Sequence, residues 1–291
     1  MHFSEIKPLG IGLAADLGGN KPDWRQFLNS DEPELRFAYL NVAATYDQLG
    51  KVQYHIDDLV QAGFPFVVHP INFNPVDPAD EPDTIVEGTV ALARYLRARW
   101  SGQDAGLWMW QGQYMGEFLM PAVLDEESAC EVAAKACFLN CIMPCPFLLE
   151  NPPVGFSIES MHMLDFMARV SSEADCGLVL DVGHLIGYQF ASGRSLHDMP
   201  LDRFPFERVV EVHLAGLMRR VSGPYTSFYD HHGHPIDSRC WTFLEENIHR
   251  MTNLRGLTLE QESCENRFVA DHLRRAHRLV REQRVFTDVT L

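Results

Sequence analysis

The chain has 291 residues, 46% of them hydrophobic, with 24 Lys and Arg against 40 Asp and Glu for a net charge of −16. That length suits one (β/α)8 barrel, the composition excludes a disordered chain, and no apolar stretch approaches the ~18–20 residues of a membrane helix. The acidic balance argues against gripping phosphate backbones, because nucleic-acid affinity comes largely from Lys and Arg displacing counterions.

The N-terminal MHFSEIKPLG has no basic region followed by an apolar one, so a cytoplasmic protein is expected, with neither membrane nor nucleic acid as a partner. Strands one and two read as LGIGLAADL (9–17) and FAYLNVAA (37–44), and strand three as FPFVVHPI (64–71), which carries His69 near its end. A Pro- and Asp-rich connection (72–83) leads into a helix over 80–100, acidic at its start and basic at its end, as the helix dipole favours. GLWMWQ (106–111) reads as strand four, followed by a helix over 125–142. PFLLENP (146–152) is strand five with Glu150, and a helix over 157–174 follows. GLVLDVGH (177–184) is strand six with Asp181 and His184; RVVEVHLAG (208–216) is strand seven with His213. A long loop (217–235) holds Asp230 and His232 in YDHHGHP, and a helix over 238–251 comes next. GLTLEQES (256–263), strand eight, carries Glu260 before a last helix over 265–283.

Short, continuous apolar runs of this kind fit strands buried on both faces. Their regular alternation with helices gives an α/β fold, a (β/α)8 TIM barrel, as a single catalytic domain over 1–291. Seven cysteines form an odd set without a disulfide framework, the usage of a reduced compartment. Cys137, Cys141 and Cys145 recur at a spacing that aligns them along one stripe of a helix, and core packing is the reading taken for them over an iron–sulfur cluster.

The chemistry lies at the strand ends. A barrel aims Glu150, Asp181, His213 and Glu260 at one point above its C-terminal mouth. Three carboxylates and an imidazole suit Mn, Fe or Zn, and without a cation the carboxylates could not all stay ionised. Asp230 and His232, two apart on an extended segment, point the same way and with His184 would hold a second ion. His69 would serve a third ion bridged by Glu150, or else orient substrate. Strand four as read offers it no histidine, and Gln111 is the nearest polar residue there.

At this point the motifs are familiar. MPLDRFPFERVVEVHLAG followed by YDHHGHPIDSRCW resembles the multinuclear non-heme iron-dependent oxidases, the family that includes the methanobactin-biosynthesis oxidase, within the xylose-isomerase-like barrels. That family's V-V-E-I-H-L-A-G strand, I-D-T-H-G-x-P-V segment and tryptophan match Val209–Gly216, Asp230–Ile236 and Trp241. LLENPP, LVLDVGH, LTLEQE and FPFVVHPI are similar to the strands that carry its other ligands, at Glu150, Asp181, Glu260 and His69. Two departures stand out: His184 replaces the second asparagine of D-V-N-N, and the strand-four histidine is missing from LWMWQG.

The resemblance implies an oxidoreductase with two or three irons and O2 as co-substrate. It would remodel a residue of a ribosomally synthesised precursor peptide, usually cysteine and in some relatives a C-terminal aspartate, with a small leader-binding partner protein. His69, His184 and Glu150 are then the candidate catalytic residues, and Arg219, Trp110 and Gln111 the candidate substrate contacts. Two other readings share the ligand pattern. A single-metal sugar isomerase or epimerase would use Glu150, Asp181, His213 and Glu260, leaving Asp230 and His232 without a task. A zinc-dependent apurinic-site endonuclease would use them all but fits the acidic charge poorly.

Overall fold

Eight parallel strands pair in chain order and close on themselves: β1 (Gly10–Ala14), β2 (Tyr39–Ala44), β3 (Phe66–Pro70), β4 (Ser101–Asp104), β5 (Phe147–Glu150), β6 (Gly177–Asp181), β7 (Val209–Ala215) and β8 (Gly256–Glu260). The structure, a computed structural model, describes all residues but 1, 15, 20, 78, 80, 111–112, 115–118, 224 and 288–291, and leaves out the side chains of 114 and 225. A helix follows each strand: α1 (Trp24–Leu28), α2 (Leu49–Gln61), α3 (Asp83–Leu96), α4 (Glu126–Ile142), α5 (Met163–Glu173), α6 (Val182–Ala191), α7 (Ser238–Asn247) and α8 (Asn266–Glu282). Among the described residues, no helix is long and apolar enough to cross a membrane.

The apolar runs are strands because both of their faces are covered, by barrel interior on one side and helices on the other. Every residue of β1, β3, β5, β6, β7 and β8 is buried. Parallel register then aligns the strand ends: Asp104 opposite Glu150, Asp181 opposite His213, and Ala215 opposite Glu260.

Strand four differs from the sequence reading. The barrel position belongs to the polar segment Ser101–Asp104, while the apolar GLWMWQ lies beyond it. There Gly106–Leu107 pairs with Met120–Pro121, and Met109–Trp110 with Gln113–Tyr114, as short antiparallel ribbons. The strand must start soon after α3 ends, and Trp100, fully buried on the barrel floor, anchors it there. Hydrophobicity alone favoured the wrong segment.

The cysteine stripe is also corrected. Cys137 and Cys141 are exposed, and Cys145 lies past the end of α4. The buried stripe of α4 is Ala129, Val132, Ala133, Ala136 and Leu139, so the cysteines fall on the neighbouring, outer face.

Candidate metal centre

The four strand-end residues converge. One ligand atom from each of Glu150, Asp181, His213 and Glu260 lies within 4.8 Å of the others, and all four are buried. Nδ1 of His213 is 3.0 Å from Oε1 of Glu150 and 3.1 Å from Oε1 of Glu260.

A second cluster shares Glu150. His69, Asp104 and Glu150 also bring one ligand atom each within 4.8 Å of one another. Nε2 of His69 lies 2.9 Å from Oε2 of Glu150 and 3.5 Å from Oδ2 of Asp104. Sequence reasoning missed Asp104 because it misplaced strand four. The available signal was an aspartate closing a short segment between α3 and the next turn.

The loop after β7 supplies the third group. Its chain returns as a hairpin, Leu217–Ser222 against Tyr225–Asp230, whose last residue lies opposite Leu217. Gly216 permits the return: a Cβ there would come within 2.3 Å of the His234 carbonyl oxygen, and the His231 amide donates to the Gly216 carbonyl at 2.9 Å. Asp230 Oδ2 thereby sits 2.8 Å from Nε2 of His232 and 3.7 Å from Nε2 of His184. His232 Nε2 is 3.8 Å from Oε2 of Glu260, which joins this group to the first cluster.

Neighbouring groups fix which nitrogen each ring offers. His184 Nδ1 is 2.8 Å from the Asn151 carbonyl oxygen, which leaves Nε2 toward Asp230. Asn151 also clamps the Asp181 backbone, donating to its carbonyl at 2.8 Å and accepting from its amide at 3.0 Å. Asp181 caps α6, accepting from the His184 amide at 2.6 Å. The Nδ1 side of His232 meets Glu262 at 2.8 Å. Such outer contacts set the tautomer and orientation of metal-binding histidines. Asn151 and Glu262 were not singled out from the sequence, although each stands next to or near a strand-end ligand.

Charge dominates this site. Asp104, Glu150, Asp181, Glu260, His69, His184 and His213 are all buried, with Asp230 and His232 at the rim. Burial pushes the His69 imidazole down, but the hydrogen bond and charge of Glu150, with Asp104 behind, lift it to about 9. Burial and the Glu150 charge push Asp104 up to about 7 against the pull of His69 and His184. Burial likewise raises Asp181 to about 8, with His184 opposing and Glu260, Asp230 and Glu150 adding. Glu150 goes the other way: His213 and His69 outweigh its burial and hold it below the usual carboxylate range.

Cations would meet unused ligands here. Among the described residues, Oδ1 of Asp104, Oδ2 of Asp181 and Oδ1 of Asp230 are buried without a hydrogen-bond partner. An orphaned buried carboxylate oxygen is costly, and coordination would remove that cost. Oxygen and imidazole donors in this ratio fit Fe(II), Mn(II) or Zn(II).

Trp110 and Arg219, two of the candidate substrate contacts, are not among the residues of the two clusters. Trp110, 54% exposed, stands on the ribbon beyond β4. Arg219 and Arg220 are exposed on the first strand of the hairpin, with no ion pair among the described residues. Gln111 lies outside the described residues. Phe228, on the second strand of the hairpin, is 8% exposed and packs on Phe190 and under Arg239.

The chain matches a family profile described as RiPP precursor modification enzyme MbnB/TglH/ChrH over residues 12–280. A UPF0276 protein from Caulobacter vibrioides (strain NA1000 / CB15N) is 26% identical over 233 residues, covering 79% of this chain and 80% of its own. One from Anaeromyxobacter sp. (strain Fw109-5) is 27% identical over 239 residues, covering 79% and 77%. A solved xylose isomerase-like TIM barrel protein from Mycobacterium smegmatis in complex with magnesium superposes with a TM-score of 0.59 at 13% identity, covering 97% of this chain and 99% of that one. A xylose isomerase domain containing protein from Salmonella typhimurium gives 0.55 at 12%, covering 95% and 98%. At these identities the structures establish the fold, a xylose-isomerase-like TIM barrel.

Proposed function

The chain belongs to the MbnB/TglH/ChrH family of RiPP precursor modification enzymes, and from that premise we propose that it is an O2-dependent oxidase with a multinuclear iron centre. The residue it modifies is a cysteine, or a C-terminal aspartate, of a ribosomally synthesised precursor peptide. The observation that carries this reading is the sharing of Glu150 between two buried ligand clusters, His69–Asp104–Glu150 and Glu150–Asp181–His213–Glu260. A one-metal sugar isomerase needs only the second cluster and leaves His69, Asp104, Asp230 and His232 without a role.

Glu150, Asp181, His213 and Glu260 would hold one iron, and His184, Asp230 and His232 another. His69 and Asp104, with Glu150 as bridge, would take a third. When bound, iron supplies the redox chemistry, drawing electrons from the peptide residue and passing them to O2. His69 and His184 would act on the reaction by holding and orienting the metal ions, each steadied by a neighbouring carboxylate, Glu150 for His69 and Asp230 for His184. Glu150 keeps the two clusters in register. Asn151 holds Asp181 and His184 in place.

A peptide, unlike a sugar, needs a long open approach. Trp110, Met120, Phe156, Ile158, Met218 and Val221, all exposed, lie on the segments after β4, β5 and β7, at the end of the barrel that carries the ligands. Apolar residues exposed there offer contact area to an extended chain. Arg219 adds a positive charge for a peptide carboxylate. A separate small protein that binds the peptide leader belongs to the same reading.

The test is incubation of anaerobically iron-loaded protein with a precursor peptide encoded beside its gene and the neighbouring small protein, followed by exposure to O2 and mass spectrometry. An iron- and O2-dependent mass change at cysteine or the C-terminal aspartate is the expected result. An unchanged peptide, together with turnover of a sugar by protein holding one manganese, would overturn the proposal.

A further inference from the structure

Below the ligands the barrel interior holds one more carboxylate, Glu211 on β7, 1% exposed. It precedes His213 by two residues, so both side chains share the inner face of the strand. Three donors converge on it: the Trp100 indole N–H at 2.5 Å, the Thr258 hydroxyl at 2.5 Å and the Tyr39 hydroxyl at 3.0 Å. The space for this cage comes from two glycines. A Cβ on Gly12 or on Gly256 would come within 2.3 Å of the Tyr39 side chain. A charge so deep in the barrel is tolerated only when hydrogen bonds and a counter-charge compensate for lost water. Here the donors come from β2, the residue just before β4, and β8.

Above Glu211 lies the ring of His213. Oε1 of Glu211 is 3.4 Å from Nε2, while Nδ1 on the other side of the ring faces Glu150 and Glu260. The Asn41 amide nitrogen is 3.2 Å from the same Nε2, and Asn41 Oδ1 is buried without a hydrogen-bond partner. The two amide atoms of asparagine are assigned from their surroundings. Turning this amide over places the orphaned oxygen beside Nε2, where it accepts a proton together with Glu211. Both neighbours then demand a proton on Nε2, which leaves the Nδ1 lone pair free on the metal side.

We propose that Glu211 is a positioning residue for the metal centre. It accepts the Nε2 proton of His213, fixes the tautomer that presents Nδ1 to the ion, and strengthens that nitrogen as a ligand. Tyr39, Trp100 and Thr258 hold Glu211 in place for this task. The inference rests on the reading of His213 as a metal ligand. The strand pattern carries a visible trace of it, because VVEVHLA has one charged residue in an otherwise apolar run, on the same face as the histidine.

Co(II), whose visible absorption reports coordination, is the probe. Its affinity for the full chain is measured by competition with a chelator under anaerobic conditions. Replacing outer partners of metal-bound histidines typically costs about 10- to 100-fold in affinity. Glu211→Gln is expected to lose affinity in that range and alter the Co(II) spectrum, with Glu211→Asp recovering part of the loss. The melting temperature of the metal-free protein is read alongside. Should Glu211→Gln not fold, Tyr39→Phe, which keeps the carboxylate but strips one donor, is expected to give a smaller loss in the same direction. Equal Co(II) affinity and spectra in wild type and folded variants would overturn this inference alone. A wild-type protein that takes up no Co(II) would overturn the metal centre itself, and this inference with it.

Discussion

Nε2 of His69 lies 2.9 Å from Oε2 of Glu150, while the other oxygen of that carboxylate is turned to His213. One side chain thus belongs to two ligand clusters. Glu150→Ala should therefore disturb both, with metal affinity falling by more than the roughly 10- to 100-fold of an outer-partner change. Elemental analysis of the variant after iron loading checks this. A variant that keeps the full metal content would show that Glu150 does not bridge.

Of the two clusters that share Glu150, Asp104 belongs only to the one with His69, and its Oδ1 lies 3.7 Å from Nδ1 of His184. Asp104→Ala should cost one metal ion per chain and leave the ion at Glu150, Asp181, His213 and Glu260 in place. Loss of all metal, or of none, would contradict that division. Quantitative metal analysis beside Glu260→Ala as the complementary variant separates the outcomes.

Metal uptake should release protons. At pH 7 the His69 imidazole, lifted to about 9, still carries its second proton, and Asp181, pushed up to about 8, is largely protonated. An ion needs the neutral ring and the ionised carboxylate, so binding expels these protons. Affinity should rise with pH until about 9 and fall on acidification, by up to about tenfold per unit for each proton displaced. Calorimetry in buffers of different ionisation enthalpy measures the release. No proton release at pH 7 would mean that the metal-free site is already deprotonated.

A ligand that binds only the folded state stabilises it by mass action, by about 2.7 kcal/mol when free metal is 100-fold above its dissociation constant. For a chain of this size, that corresponds to a rise of roughly 4 °C in melting temperature. Scanning calorimetry with metal and with a chelator should show the difference. Coincident transitions would deny that the centre binds metal under those conditions.

Arg219 stands exposed and unpaired among the described residues, so its effect on a peptide should be modest and sensitive to salt. Arg219→Ala should raise KM by up to about fivefold, corresponding to a surface ion pair of about 0.2–1 kcal/mol, and leave kcat unchanged. The effect should shrink as ionic strength increases. A fall in kcat at constant KM would place Arg219 at the reacting residue instead.

Most of the residues that converge at the candidate site could be read from the chain because a closed parallel barrel turns a sequence regularity into a location. Apolar runs ending in Glu150, Asp181, His213 and Glu260 need no further information to converge once the strands are identified. His69 and the Asp230–His232 pair were legible for the same reason and from their two-residue spacing. Asp104 was not, since its strand, SGQD, is polar and short while a more apolar segment follows. What makes Ser101–Asp104 a strand is pairing with β3 and β5 on either side, a tertiary contribution that local pattern does not contain. Glu211 and Asn151 were hidden differently. Their roles depend on which atoms face them across the barrel, Tyr39 and Trp100 in one case and the Asp181 backbone in the other.

The central claim is a multinuclear iron centre built on Glu150. The most direct measurement is metal content per chain after anaerobic purification, by elemental analysis, together with the Mössbauer spectrum of the iron-57-loaded protein. The account expects two or more irons per chain with magnetically coupled signals. A single ion per chain, or zinc with no iron taken up, would contradict it.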